Sequence, residues 1–259
     1  MNQAFPLPVR LARQAWPLVV VGSRELTPAM RRVSLVGETL AGFDYRPGQD
    51  LVLSLPSLAG VARRHYTIRG FDREELRLDV DVLVHGAGPG SRWAETAKIG
   101  DPVLAEGPRG RTFVNQRADW HLFTGDETAL PGIAAMIETL PSRAQAFAII
   151  EVEGREEEQP LPSQARLEAF WLHRRGSAAP SVALIDALSA FQFPAGVGQA
   201  YVIGETSTVR AQRQGLIARG FPKEQICAEG YWRPGRIGGH DHVEPFEERA
   251  RDRVRRWVS

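Results

Sequence analysis

The sequence contains only one cysteine, Cys227, among its 259 residues. A single cysteine excludes an intrachain disulfide, and it excludes an iron–sulfur cluster held by four cysteines of this chain. No apolar run approaches the ~20 residues of a membrane helix. Residues 1–16 mix prolines with arginines and lack the apolar segment of a signal peptide, so we expect a cytoplasmic protein with no membrane partner.

The formal net charge is +1, without the basic excess that is typical of nucleic-acid-binding proteins. We therefore expect no nucleic-acid partner. Hydrophobic residues make up 43% of the chain and charged residues 24%, which predicts a globular fold with a buried core. Because the cysteine count excludes a four-cysteine cluster, electron transfer by this chain would require another cofactor.

The first half of the chain has the two-residue periodicity of β-strands. Residues 76–82 alternate strictly between apolar and polar side chains, as in a half-buried strand. The other candidate strands of this half are 18–21, 30–35, 51–55 and 102–105. A helix is predicted over 91–98, and an exit turn at 107–110. Short strands at this spacing predict a barrel or a sandwich.

The second half alternates between apolar strands and helical segments. The candidate strands are 120–123, 146–152, 170–172 and 201–203. The candidate helices are 125–140, 182–191 and one that follows 204–207 and ends near 219. This alternation predicts a parallel sheet built from βαβ units. We therefore divide the chain into a β domain at 1–116, an α/β domain at 117–239 and a C-terminal segment at 240–259.

The segment at 64–69 has the sequence Arg-His-Tyr-Thr-Ile-Arg. In an extended chain, Arg64 and Tyr66 lie on one face, and His65 and Thr67 lie on the other. An arginine fork suits a pyrophosphate, and a tyrosine ring can stack on a flat isoalloxazine. An ordinary exposed strand with a half-buried tyrosine would explain the same spacing.

A glycine-rich turn at 85–94, His-Gly-Ala-Gly-Pro-Gly-Ser-Arg-Trp-Ala, joins a predicted strand to a predicted helix. Such a turn brings backbone amides close to a phosphate, and the following helix adds a favourable dipole. Ser91 is expected to cap the helix or to bind the phosphate. No Gly-Lys-Ser/Thr follows, so this is not a Walker sequence, and a plain tight turn is the alternative.

Two further segments, 125–128 and 204–206, follow predicted strands of the α/β domain. A helix N-terminus at such a place can accept the phosphates of a dinucleotide, with Thr128 as a candidate donor. Simple helix capping is the alternative for both segments, and we prefer it for Thr206. The Gly-x-Gly-x-x-Gly fingerprint of the standard dinucleotide fold is absent.

Together these segments resemble the siderophore-interacting protein family, the flavin-containing ferric-siderophore reductases of the ferredoxin–NADP reductase-like superfamily. The resemblance covers about 20–235 in the family's order. Its motifs lie at 64–69, 85–94, 107–110 (Gly-Pro-Arg-Gly), 125–131 (Gly-Asp-Glu-Thr-Ala-Leu-Pro), 204–205 and 230–235 (Gly-Tyr-Trp-Arg-Pro-Gly). It implies an antiparallel FAD-binding β-barrel followed by a parallel-sheet α/β domain that binds a nicotinamide cofactor.

The resemblance also implies roles for single residues, with FAD and either NADH or NADPH as cofactors. Arg64 would bind the FAD pyrophosphate, Tyr66 would stack on the isoalloxazine, and Thr67 would lie near flavin N5. The other implied FAD contacts are His65, Arg69, Asp81, His85, Gly88, Gly90, Ser91, Trp93 and Ala94. The implied nicotinamide contacts are Gly125, Asp126, Glu127, Thr128, Gly204, Glu205 and Thr206.

An acidic run follows the second strand of the α/β domain: Glu151, Glu153, Glu156, Glu157 and Glu158. Carboxylates at such a strand end accept a hydrogen bond from a ribose 2′-hydroxyl and repel a 2′-phosphate, which favours NADH. Arg155 lies among them and keeps NADPH open. A solvated acidic loop is the interpretation that we prefer for 155–159.

A reductase of anionic ferric chelates requires a cationic recess that faces the flavin. The candidate arginines for binding a ferric siderophore are Arg46, Arg109, Arg111, Arg233 and Arg236. For each one alone, a solvated surface arginine is the simpler explanation.

Residues 244–259 carry an apolar stripe at helical spacing beside several arginines. We expect this helix to dock on the body of the protein, and the alternative is a basic surface for an acidic ferredoxin. His240 and His242 form an H-x-H pair without a third ligand nearby, so a linker is favoured over a metal site.

The expected function is a flavin-dependent transfer of electrons from NAD(P)H, or from ferredoxin, to chelated iron(III), which releases iron(II). The expected catalysis is outer-sphere electron transfer, without a general acid or base. A general NAD(P)H:flavin or quinone reductase and a non-catalytic flavin or siderophore carrier are the alternatives. The siderophore, the choice of donor and the oligomeric state stay open.

Overall fold

The computed structural model describes residues 14–57, 60–86, 88–176, 179–235 and 241–242. The first part of these residues forms the strands β1 (Ala15–Thr27), β2 (Met30–Val36), β3 (Asp50–Ser57), β4 (Gly60–Asp72), β5 (Arg77–Leu83) and β6 (Pro102–Arg109). They pair antiparallel and close into a barrel in the order β1-β2-β5-β4-β3-β6. The prediction of a β-barrel is confirmed.

The barrel interior is filled from one face of each strand. Leu78, Val80 and Val82 alternate along β5 and are fully buried, because side chains two residues apart lie on the same face of a strand. Helix α1 (Pro89–Thr96) connects β5 to β6 and buries Trp93 and Ala94 against this core.

The remaining described residues form a mixed sheet with helices. Its strands are β7 (Trp120–Asp126), β8 (Gln145–Val152), β9 (Arg166–His173), β10 (Gly198–Glu205), β11 (Ile226–Trp232) and β12 (Asp241–His242). Its helices are α2 (Leu130–Ile137), α3 (Val182–Ala190) and α4 (Thr206–Ala218). The order is β12-β11-β10-β7-β8-β9, with β12 antiparallel at the edge and the others parallel, so the predicted parallel α/β fold is confirmed.

Both faces of the parallel sheet are covered. Helix α2 packs on the face that carries Phe123 and Tyr201, whereas α3 and α4 pack on the face that carries Trp120 and Val202. Burial on both faces explains why consecutive residues are buried along the central strands β7, β8 and β10, without the alternation of a half-buried strand.

Two elements of the α/β domain differ from the prediction. Helix α2 begins at Leu130 rather than 125, because β7 continues to Asp126, whose carboxylate then accepts the Thr128 amide in a turn. Strand β11 was not predicted. Its sequence, Ile-Cys-Ala-Glu-Gly-Tyr-Trp, is mostly half-buried, so it lacks the apolar run of a central strand.

Two elements of the barrel domain also lie elsewhere than expected. Helix α1 begins at Pro89, two residues before the predicted start, because proline fits the first turn of a helix. Strand β6 continues to Arg109, so most of the exit turn predicted at 107–110 belongs to the strand.

The prediction of a solvated acidic loop is wrong at Glu157. This residue is 7% exposed, and its carboxylate accepts hydrogen bonds from Thr27 Oγ1 at 2.5 Å and from the Ala29 amide at 3.0 Å. A carboxylate of the α/β domain therefore binds the turn between β1 and β2. A second link joins Arg69 of β4 to Glu138, which follows α2, with Nη1–Oε2 at 3.0 Å.

The predicted C-terminal helix at 244–259 lies outside the described residues, as do His240 and Arg236. Within the described ranges, no helix combines the length and the hydropathy of a membrane span. Across the same ranges, no three His, Cys, Asp or Glu side chains are arranged to hold a metal ion.

Candidate active site

A cavity of about 980 Å³ lies where the barrel meets the α/β domain. Its barrel wall comes mainly from β4, β5 and the start of α1. Its opposite wall comes from the carboxyl ends of β7, β8, β10 and β11. Ligands of open α/β sheets bind at the carboxyl ends of the strands, so the cavity is placed to hold a ligand against both domains.

Most of the residues that the sequence predicts for ligand contact line this cavity: Arg64, His65, Tyr66, Thr67, Asp81, His85, Gly88, Gly90, Ser91, Asp126, Glu127, Thr128, Glu205 and Arg233. They come from segments far apart in the chain, which the fold brings to one cavity. Their contacts with a ligand stay a prediction.

Other predicted cofactor residues lie behind the wall. Trp93 and Ala94 belong to the barrel core, and Arg69 forms the ion pair with Glu138. Gly125 and Gly204 lie at the ends of β7 and β10 without lining the cavity. Thr206 donates its hydroxyl to the main-chain oxygen of Trp232 at 2.9 Å, so it does not cap α4, whose cap is Glu205.

The four predicted siderophore arginines that lie in the described ranges do not converge. Arg233 lines the cavity. The guanidinium of Arg46 lies over the ring of Phe113, 3.8 Å from its centroid, and Arg109 contacts the ring of His65, with Nη1–Nδ1 at 2.9 Å. Arg111 is exposed and does not line the cavity.

Tyr66 packs closely over Gly90 in the barrel wall. A β-carbon at Gly90 would lie 2.0 Å from the Tyr66 hydroxyl oxygen, so only glycine leaves room for this ring. The ring also packs beside Trp93, with centroids 6.3 Å apart. Burial raises the pKa of Tyr66 to about 12, so the phenol is neutral at physiological pH.

The glycine-rich turn is closed by Ser91. Its hydroxyl accepts the His85 amide at 3.0 Å and donates to the His85 main-chain oxygen at 3.2 Å. Ser91 lies inside α1, and the residue at the helix cap is Gly88. The expectation that Ser91 caps the helix is therefore wrong, because its hydroxyl ties the turn together instead.

Two further polar side chains of the barrel wall, Asp81 and His65, are held by partners. Arg32 binds Asp81 with two hydrogen bonds of 2.6 and 2.7 Å. Asp50, which is buried behind the wall, lies 2.6 Å from Nδ1 of His65. These pairs fix side chains that line the cavity before any ligand binds.

Asp126 joins three segments at the base of the α/β wall. Its Oδ2 accepts the Trp232 indole N–H at 2.9 Å and the Glu205 amide at 2.8 Å, and its Oδ1 accepts the Thr128 amide at 2.9 Å. Burial, together with the nearby charge of Glu127, raises the pKa of Asp126 to about 6. The carboxyl therefore titrates close to physiological pH.

We expect the NMR signal of the Trp232 indole N–H to shift with a midpoint near pH 6, because this group donates to the Asp126 carboxylate and reports its titration. The unfolded carboxyl has a pKa of about 4, so the folded state binds more protons between about pH 4 and pH 6. The contribution of Asp126 to the free energy of unfolding accordingly falls as the pH rises through this window. The ¹H–¹⁵N indole signal of Trp232, assigned with Trp232→Phe, measures the midpoint.

Asp126→Asn serves as the control for this titration. The amide cannot ionise, so the step near pH 6 should disappear from the Trp232 signal. A step that persists in Asp126→Asn would assign the titration to another group and contradict the proposed cause.

The N-terminus of α4 was predicted to accept a phosphate, but the side-chain carboxylate of Glu205 caps it. Glu205 accepts the amides of Ser207 at 2.9 Å and Thr208 at 2.8 Å. Burial opposes ionisation of Glu205, but the hydrogen bonds from Ser207 and Thr208 hold its pKa below the usual range. These backbone donors are thus satisfied within the chain, as helix capping predicts.

Several cavity residues were not predicted as ligand contacts: Arg63, Arg174, Ser181, Tyr231 and Trp232. Tyr231 and Trp232 belong to the motif at 230–235, so the sequence offered a signal by which they could have been predicted. Thr67 Oγ1 donates to the Tyr231 hydroxyl at 3.5 Å, which joins the two walls. Arg174 follows β9 at a strand end, and only the sheet order shows that it meets β7 and β8.

The barrel wall fits FAD. It presents an aromatic ring at Tyr66, a guanidinium at Arg64 and a glycine turn, at Gly88, where an added β-carbon would meet no protein atom within 4 Å. A flat ring system, a pyrophosphate and a close approach to backbone are the features of FAD that these groups match.

Comparison with known proteins agrees with this arrangement. Residues 54–112 match the siderophore-interacting FAD-binding domain, and residues 118–235 match the siderophore-interacting protein family. The ferric vibriobactin reductase ViuB of Vibrio cholerae is 32% identical over 252 residues, which cover 86% of this chain and 91% of that protein. The NADPH-dependent ferric-chelate reductase of Escherichia coli is 26% identical and covers 88% of this chain and 96% of its own length.

Among solved structures, a siderophore utilization protein from T. fusca superposes with a TM-score of 0.82 at 35% identity, over 89% of this chain and 97% of that one. The ferredoxin-NADP+ reductase of Plasmodium falciparum shares the fold at 14% identity, with a TM-score of 0.67 over 84% of this chain and 96% of that one. The chain therefore belongs to the siderophore-interacting protein family and has its ferredoxin reductase-like fold.

Proposed function

We propose that this chain is a flavin-dependent ferric-siderophore reductase that moves electrons from NADH or NADPH through FAD to chelated iron(III). The observation that carries the proposal is one cavity lined both by the segment 64–67 and by the carboxyl ends of the parallel sheet. Membership of the siderophore-interacting protein family supports it, as does the reductase activity in the names of the Vibrio cholerae and Escherichia coli relatives.

In this proposal the barrel wall holds FAD. Arg64 binds the pyrophosphate, the Tyr66 ring packs on the isoalloxazine, and Thr67 lies near flavin N5. When bound, FAD supplies the conversion of a two-electron hydride donor into one-electron steps to iron. The protein positions the partners and shields them from water, and no side chain forms a covalent bond with the substrate.

The α/β wall takes the nicotinamide donor in this proposal. Tyr231 and Trp232 close the cavity between the two walls and are held by Thr67 and Asp126. The ring systems of donor and flavin can therefore meet beside fixed aromatic side chains. Because iron(II) binds siderophores far more weakly than iron(III), reduction releases the metal.

Anaerobic mixing of the flavin-loaded protein with each nicotinamide, and then with a ferric siderophore, tests the proposal. We expect the flavin absorbance to bleach with the donor and to return when the ferric siderophore is added, with iron(II) trapped by a chromogenic chelator. Protein that binds no FAD would overturn the proposal.

The same assay separates the alternatives. Faster reoxidation by free flavin or quinones than by ferric siderophores would indicate a general reductase. If only reduced ferredoxin bleaches the flavin, the electron donor is ferredoxin and not a nicotinamide. Flavin that no donor bleaches would indicate a carrier.

Among the candidate substrate arginines that the structure describes, we expect only Arg233 to affect siderophore binding strongly. Arg233→Gln should weaken the binding of an anionic ferric catecholate roughly 10- to 100-fold, since a charge-assisted hydrogen bond contributes about 1.5–3 kcal/mol. Arg111→Gln removes the same charge outside the cavity and is the matched control. Quenching of flavin fluorescence by the ferric catecholate measures both affinities, and equal losses in the two variants would contradict the assignment.

A further inference from the structure

Arg174 lies in the α/β wall directly after β9, and carboxylates surround its guanidinium. Glu127 binds it through both oxygens, with Nη1–Oε2 at 2.9 Å. Glu151 Oε1 lies 3.4 Å from Nη1, and Glu153 Oε2 lies 3.2 Å from Nε. All three guanidinium nitrogens are therefore engaged by protein carboxylates rather than presented to a ligand.

The cluster of Glu127, Glu151 and Arg174 is poorly accessible to solvent. The side chains of these residues are 14%, 4% and 19% exposed, so salt screens their charges only weakly. Because the carboxylates outnumber the guanidinium, this part of the cavity is negative. Ser181 adds no free donor, since its hydroxyl donates to Glu151 and accepts the Leu184 amide at 3.0 Å to cap α3.

The cluster lies at a place in the sheet where the ribose of a dinucleotide binds in related folds. Glu127 follows β7, and Glu151 lies near the end of β8, the second strand of the α/β domain. In dinucleotide folds an acidic side chain roughly 20 residues after the first strand–helix turn binds the ribose hydroxyls, and Glu151 has that place. NADPH differs from NADH by a 2′-phosphate, which carries a charge of about −1.5 to −2 at neutral pH. A carboxylate accepts a hydrogen bond from the 2′-hydroxyl, whereas it repels the phosphate.

We propose that Glu127, Glu151 and Arg174 select an unphosphorylated ribose, so that NADH is the preferred donor of this chain. The carboxylates accept the ribose hydroxyls, and Arg174 holds the carboxylates in place instead of binding a phosphate. This inference rests on the proposed function. It separates the chain from its Escherichia coli relative, whose name specifies NADPH.

The wild-type protein tests the inference without any substitution. Calorimetric titration of the FAD-bound protein with NAD+ and NADP+ should show about tenfold tighter binding of NAD+, because juxtaposed like charges are costly. In the anaerobic assay, NADH should likewise bleach the flavin at lower concentrations than NADPH. Equal or tighter binding of NADP+ would overturn the inference.

Glu127→Gln tests the role of the cluster. The amide removes one negative charge and weakens the hold on Arg174, so we expect the preference for NAD+ over NADP+ to shrink about tenfold. Glu156→Gln removes the same charge from an exposed neighbour of the acidic run and should leave the preference unchanged. An equal change in both variants would show that net charge, and not this cluster, sets the preference.

Failure of this inference is distinguishable from failure of the proposed function. If neither nucleotide binds, but dithionite-reduced protein still reduces a ferric siderophore, the donor inference is wrong and the reductase stands. If the protein binds NAD+ selectively but ferric siderophores never reoxidise its flavin, the reductase is wrong and the selectivity stands.

Discussion

Gly90→Ala is expected to weaken FAD binding by roughly 10- to 100-fold, since overpacking a tight contact costs about 1–3 kcal/mol. The added methyl carbon would lie 2.0 Å from the Tyr66 hydroxyl oxygen, so the ring must leave its place in the cavity wall. Tyr66 is also the ring proposed to pack on the isoalloxazine. Equilibrium titration of the flavin-free protein with FAD, followed by flavin fluorescence, measures the loss.

A second substitution tests the cause of this loss. Tyr66→Phe removes the hydroxyl oxygen and leaves the next ring atom 3.3 Å from the added methyl, so Gly90→Ala/Tyr66→Phe should recover most of the affinity. Gly70→Ala is the control for a general glycine effect, because its β-carbon would meet no atom within 4 Å. A double variant as weak as Gly90→Ala alone would show that the Tyr66 contact is not responsible.

Elements with a strong local pattern were predictable from the sequence. The strict alternation at 76–82 marks β5, and the apolar run at 146–152 marks β8, because each pattern follows from burial on one face or on both. Strand β11 escaped prediction because it is half-buried and contains glycine and glutamate. Its place in the sheet is decided by pairing with β10, which is a non-local interaction.

The residues of the candidate site likewise divide into those that a local motif predicts and those that only the fold brings together. Arg64, Tyr66 and the glycine turn lie in short contiguous motifs, so the sequence predicts them as one group. Arg174 carries no local signal, because its importance arises only where the ends of β7, β8 and β9 meet. The arginines at 46 and 109 illustrate the converse, since a charge pattern cannot show which side chains already have partners in the fold.

Glu157 shows how far tertiary structure can depart from composition. It belongs to the most acidic segment of the chain, where solvation is the natural expectation, yet its carboxylate is buried against the turn between β1 and β2. A buried carboxylate is tolerated when backbone and hydroxyl donors satisfy it. Thr27 and Ala29 supply these donors from the other domain.

Glu157→Ala is accordingly expected to lower the free energy of unfolding by about 2–3 kcal/mol, because it leaves the partly buried Ala29 amide and the buried Thr27 hydroxyl without their acceptor. Urea unfolding of the flavin-loaded protein, followed by circular dichroism, measures the change. Glu157→Gln keeps one acceptor oxygen and should fall between the wild type and Glu157→Ala.

The neighbouring Glu156 provides the matched control, since it is the same residue type, one position away and exposed. Glu156→Ala should change the free energy of unfolding by no more than about 0.5 kcal/mol. If Glu156→Ala and Glu157→Ala destabilise the protein equally, the effect comes from the charge of the acidic segment. If only Glu157→Ala does so, the carboxylate holds the barrel against the α/β domain, and with it the two walls of the cavity.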